Sequence, residues 1–109
     1  MAYDAKLAER IRKALKGQAG LTEKQMFGGI GFMVHGNMAC GVIGDELMVR
    51  VGPEAHDEAL RAPSTRIFDF SGRPSIGWVM VAQPGLETES DLGNWIRQGV
   101  EFALTFPAK

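Results

Sequence analysis

A chain of 109 residues, 45% apolar and 23% charged, is expected to fold as one domain over residues 1–109 around one hydrophobic core. Its net charge of −1 gives no general attraction to nucleic acid or acidic lipid, so no specific nucleic-acid binding is expected. The lone Cys40 excludes an intramolecular disulfide, and neither a signal peptide's apolar stretch nor an unbroken bilayer-length apolar run occurs; the expectation is a cytoplasmic protein with no membrane partner.

The first predicted element is a helix. Leu7, Ile11 and Leu15 recur every four residues, Asp4 is placed to cap the start, and Gly17 and Gly20 to stop it. The period then changes. From Lys24 to Val51 three strands joined by tight turns are expected, the first turn at Gly36-Asn37, because both residues tolerate positive φ. The second turn is Gly44-Asp45 or Asp45-Glu46, two residues in either case. Pro53 opens a short helix running to about Leu60. "TRIFDF" reads as a strand, "SGRPSIG" as a loop, and "WVMVAQ" as another strand closed by Pro84-Gly85. Thr88 and Asp91 have capping-box spacing ahead of a last helix, whose buried stripe is Leu92, Trp95, Ile96, Gly99, Ala103 and Phe106; Pro107 ends it. The order helix, three strands, helix, two strands, helix describes a compact α+β domain.

The stretch "MFGGIGFMVHGNMACGVIGDELMVRV" admits three chemical readings. A dinucleotide fingerprint fails, because Val34 stands where the third glycine belongs and a strand follows where a helix is required. A nucleophilic Cys40 needs a base and a site that lowers its pKa, whereas its strand neighbours are apolar, so Cys40 is expected to be a buried, inert hydrophobe. His35, Cys40 and His56 are the only soft or borderline ligands, where a zinc site usually needs three or four, and no metal or cofactor is assigned.

The remaining reading is a sheet. With Gly36-Asn37 as the turn, Phe32 falls opposite Gly41, Val34 opposite Ala39 and Ile30 opposite Ile43. One face then carries Cys40, Val42, Leu47, Val49 and Val51, and the helices are expected to cover it. The other carries Ile30, Phe32, Val34, Ile43 and Met48, rimmed by Arg50 and Glu46. It is too apolar for a solvated antiparallel sheet, which makes those residues and Arg50 the candidate interface. Five of the six methionines lie between residues 26 and 80, where they suit either core packing or an adaptable surface. The cations Lys6, Arg10, Arg12, Lys13 and Lys16 are read as the solvated face of the first helix, since Asp4 and Glu9 interrupt them. Arg73, in its loop, stays open between a local pair with Asp69 and a binding role; Trp78 is read as structural.

"MFGG" before a hairpin, then "DELMVRVG", "GRPSIGWV" and a closing helix with "LGNWI" resemble the N-terminal domain of the TfoX/Sxy family from about Lys24 to Phe106. The matching positions are Met26, Phe27, Gly28, Gly29, Arg73 and Trp78. The resemblance implies a five-stranded, mainly antiparallel sheet with packed helices, like the secretion-chaperone-like folds. It brings no catalytic residues. Founding members regulate natural competence, act with the transcription machinery and carry a second, C-terminal domain, so this chain is expected to be the first domain alone. The expected function is a non-enzymatic regulatory or protein-interaction module, a homodimer with a possible partner in the transcription machinery. The rival is a small-ligand-binding domain that uses the Met-rich sheet face or the Arg73 loop. The two differ in chemistry: tight ligand binding stabilises the fold by mass action.

Overall fold

Asp4 caps the first helix, α1 (Ala5–Ala14), as its spacing predicts: its side chain accepts hydrogen bonds from the backbone N–H groups of Lys6 and Leu7 at 2.9 and 3.2 Å. The computed structural model describes residues 3–26, 28–70 and 73–108, with side chains for all of these except Phe70, Arg73 and Pro74. After α1 come strands β1 (Leu21–Met26), β2 (Gly29–Val34), β3 (Asn37–Ile43) and β4 (Glu46–Arg50). A single-turn helix α2 (His56–Ala59), strands β5 (Thr65–Phe70) and β6 (Arg73–Val81), a 3-10 turn at Gln83–Leu86 and the long helix α3 (Glu89–Ala103) complete the chain. The protein is α+β, and the strands form one sheet in the order β1-β2-β3-β4-β6-β5 with every neighbouring pair antiparallel.

The sheet has six strands where five were expected. The additional one is β1. Gly28, at φ +73°, lies in the turn between β1 and β2 that splits the expected first strand in two. Thr22, Glu23, Lys24 and Gln25 are exposed, because β1 is an edge strand, and polar edges resist pairing with other chains. A second correction concerns "SGRPSIG". β6 already begins at Arg73, and its first residues pair with β5 at Asp69↔Pro74, before pairing with β4 begins at Trp78. Ser71, Gly72 and the side chain of Arg73 lie outside the described residues, and with them the proposed Asp69–Arg73 pair.

The first hairpin turn sits one residue earlier than expected, at His35-Gly36, with both residues at positive φ (52° and 83°) as a two-residue turn requires. Asn37 is drawn out of the turn because it is needed elsewhere: only 3% exposed, it donates from Nδ2 to the backbone carbonyl of Pro107 at 3.0 Å. A bulge then adjusts the register. Met33 faces Met38 and Phe32 faces Cys40, which leaves Ala39 as the extra residue. The second turn is Gly44-Asp45, one of the two alternatives, with Ile43 opposite Glu46.

The bulge brings Ile30, Phe32 and Val34 onto the face of Cys40, Val42, Leu47 and Val49, which the helices cover as expected. Directly paired residues share a face, so Ile30, Phe32, Cys40, Val42, Leu47, Val49, Val79 and Val81 lie together, and all belong to one buried core. Helix α1 adds Leu7 and Ile11, α2 adds Ala59, the 3-10 turn adds Leu86, and α3 adds Leu92, Ile96, Val100 and Ala103. The elements outside the sheet therefore pack on a single face. Helix α3 crosses β3 and β4 at close range: a Cβ at Gly99 would collide with the backbone carbonyl of Ala39. Phe106 is not part of the helical stripe, since α3 ends at Ala103.

Candidate functional site

The opposite face of the sheet carries methionine. Met26 on β1, Met33 on β2, Met38 on β3, Met48 on β4 and Met80 on β6 all fall on it by register. Met48 and Met80 are each only 2% exposed, yet neither belongs to the helix-covered core. Gly31 and Gly41 leave gaps that methionine fills: a Cβ at Gly31 would lie 2.7 Å from Met38 Cε, and one at Gly41 would lie 3.2 Å from Met48 Cε. Arg66 and Glu46 form an ion pair of 2.6 Å beside this layer, Arg66 sitting opposite Met80 in the register. The face is thus a flexible apolar layer with a charged edge.

The candidate interface of Ile30, Phe32, Val34, Ile43, Met48 and Arg50 divides between the two faces. Ile30, Phe32 and Val34 point into the core, with Phe32 and Val34 at 0% exposure, so this half of the candidate is corrected. Ile43 and Met48 lie on the methionine face, and Arg50, the last residue of β4, falls there by register while its guanidinium meets Phe102 of α3 at the end of the sheet. The physical reason is the bulge at Ala39. A two-residue turn moved by one position keeps the same residues on each face, whereas one extra residue in β3 puts Phe32 on the side of Cys40. Met33 and Met38 were missed for the same reason, although the clustering of methionines in the sequence was visible.

Of the family-motif positions, Met26 ends β1 on the methionine face, Gly28 forms the β1–β2 turn, and Gly29 begins β2, where a Cβ would collide with the Val42 carbonyl. Phe27 lies outside the described residues. Cys40 is completely buried, and burial pushes its thiol up to about 12. His56 is 5% exposed, and its Nδ1 accepts the N–H of Gly77 at 3.0 Å, a structural tie between α2 and β6. Among the described residues no three His, Cys, Asp or Glu side chains gather as a metal site would require. On α1, Arg10 pairs with Glu89 at 2.9 Å, and Arg12 pairs with Glu23 at 2.9 Å and with Glu9 at 3.2 Å, so two cations of the basic helix are already engaged.

A second feature lies at the end of the sheet where β4, β6 and the C-terminus of α3 meet. The Arg50 guanidinium stands 5.3 Å from the Trp78 ring, 5.3 Å from Phe102 and 4.7 Å from Phe106. Phe102 and Phe106 meet edge to face at 5.2 Å, and Trp78 also lies 6.3 Å from Phe68. A cavity of about 310 Å³ opens here, lined by Arg50, Ile76, Gly77, Trp78, Phe102 and Phe106 among others. Trp78 thus flanks a cation at a cleft.

The TfoX N-terminal domain family model matches residues 13–103. No curated protein and no solved structure matches the chain. Among the described residues, no helix is long and apolar enough to cross a membrane.

Proposed function

The chain belongs to the TfoX N-terminal domain family, and on that premise we propose that it is a non-enzymatic regulatory module that works by protein contact, through the methionine face of its sheet. One observation carries this reading: five methionines share one sheet face that no helix covers. Methionine side chains are unbranched and polarizable, so such a surface adapts its shape to a partner. The core needs none of them, because the helices complete it on the other side. The first partner proposed is a second copy of the chain, since two-fold dimers are the commonest oligomers. The regulatory role proposed is one exercised through the transcription machinery.

The experiment is a dilution series on protein labelled with ¹³C at the methionine methyl groups. If two copies meet through this face, the methyl resonances of Met26, Met33 and Met38 shift together with concentration. Methyl resonances that stay fixed across the series while the protein changes its oligomeric state would show that another surface makes the contact.

A further inference from the structure

We propose that the cleft at Arg50 is a binding site for a small organic monocarboxylate with a flat apolar body, the acid group on the guanidinium and the body among the rings. The inference concerns a ligand rather than a protein partner, and it stands whether or not the chain self-associates.

Arg50 differs from the other arginines whose side chains are described. Arg10, Arg12 and Arg66 each meet a carboxylate, while Arg61 and Arg97 stand exposed on the surface. Arg50 is half-buried, and no carboxylate or hydrogen-bond acceptor among the described residues engages it; its contacts are the three aromatic rings. Aromatic faces attract a cation but leave the in-plane N–H donors of a guanidinium unused. Those donors form the planar fork that matches a carboxylate in two parallel hydrogen bonds. An unused fork on a half-buried cation beside a cavity is a site for an anion.

The cavity fits an apolar body. Its volume of about 310 Å³ lies at the lower end of the range of small-molecule sites. An adjoining depression of about 450 Å³ shares Gly52, Pro53 and Phe102 with it. Ile76 and Phe106 are 61% and 38% exposed at its rim, an unusual exposure for large apolar side chains, and both would be covered by a ligand. The floor and wall are held in place. The N–H groups of Val51 and Gly52 both donate to the Gly77 carbonyl at 2.8 and 3.0 Å, and the Gly77 N–H donates to His56. The bond from Asn37 to Pro107 fixes the tail that carries Phe106. A preformed site loses little entropy on binding. Arg50 is the one cation among the described residues that line the cleft, and it sets the charge of the ligand: a monoanion is neutralised, whereas a dianionic phosphate would remain charged between apolar walls.

The test uses 3-phenylpropionate and its neutral amide, 3-phenylpropanamide, titrated into the whole protein with ¹H–¹⁵N spectra as the readout. The expected result is a saturable shift of the Arg50 Nε–H and Trp78 indole N–H signals by the acid, with the amide at least about tenfold weaker, as loss of a charge-assisted pair implies. Arg50→Met should remove the acid's advantage over the amide. If Arg50→Met does not fold, the acid-versus-amide comparison on the unaltered chain decides alone. Equal affinity for acid and amide, no saturable shift with the acid at about 10 mM, well above a weak millimolar dissociation constant, or an equally strong response to inorganic phosphate would each overturn the proposal.

Discussion

Cys40 sits in β3 between Phe32 and Val49 on neighbouring strands, with no exposed surface. The thiolate would be an unpaired charge in an apolar core, so burial raises the thiol to about 12. The sign of the linkage follows. A thiol whose pKa is raised by folding contributes fully below its unfolded value of about 8.5. That contribution is lost as pH rises through the window up to the folded value of about 12. Urea unfolding measured at increasing pH should therefore show a steeper loss of stability above about pH 9 for the native chain than for Cys40→Ala. Near neutral pH, a thiol reagent should label Cys40 only as fast as the chain unfolds; rapid labelling of folded protein would contradict its burial. The inertness of Cys40 was legible in the sequence from its apolar strand neighbours. Its partner was not: Phe32 was expected opposite Gly41 and faces Cys40 instead, because nothing local announces the bulge at Ala39.

At the scale of elements, the two long helices were the most legible parts. Their apolar stripes recur at helical spacing, and both caps act as their residue types suggest, with Thr88 Oγ1 accepting the Asp91 N–H at 2.9 Å. Strand β1 was the least legible. An edge strand with exposed Thr22, Glu23, Lys24 and Gln25 has no apolar alternation to reveal it, and the tight turn at Gly28 that joins it to β2 falls inside a stretch that reads as one strand. The contact of α3 with the sheet rests on Gly99, which was expected on the buried stripe for its place in the period. Its close approach to the Ala39 carbonyl depends on the bulge. Gly99→Ala should push α3 away from β3 and cost about 1–3 kcal/mol in urea unfolding, the usual range for overpacking. Gly93→Ala is the control on the same helix, because a Cβ there meets nothing within 4 Å. That change should be neutral or slightly stabilising through helix propensity. Equal losses for the two variants would show that α3 does not press on the sheet at Gly99.

The whole molecule is a sheet with two unlike faces. One is a buried core of Val, Ile, Leu and Phe beneath the helices; the other is a methionine layer that fills glycine gaps and carries a charged edge. That both faces are apolar was legible from the sequence, which never alternates with polar residues between Ile30 and Val34. The face of Cys40, Val42, Leu47 and Val49 meets the helices as expected, but the side that β2 presents to them was not legible, because the extra residue at Ala39 inverts it. The cleft at Arg50 was also hidden. Its rings come from β6, α3 and the segment after α3, brought together only by the fold.

The most direct measurement of this arrangement is light scattering on the native chain, Met33→Glu and Phe32→Asp, adjacent positions on opposite faces. It would be made at tens of micromolar, roughly where weak dimers persist, with far-ultraviolet circular dichroism to report folding. The expected result is a native dimer, a folded monomer for Met33→Glu, and an unfolded chain for Phe32→Asp, whose charge would enter a fully buried site. A native chain that is monomeric throughout, or a Phe32→Asp chain that folds as a monomer while Met33→Glu remains a dimer, would contradict it.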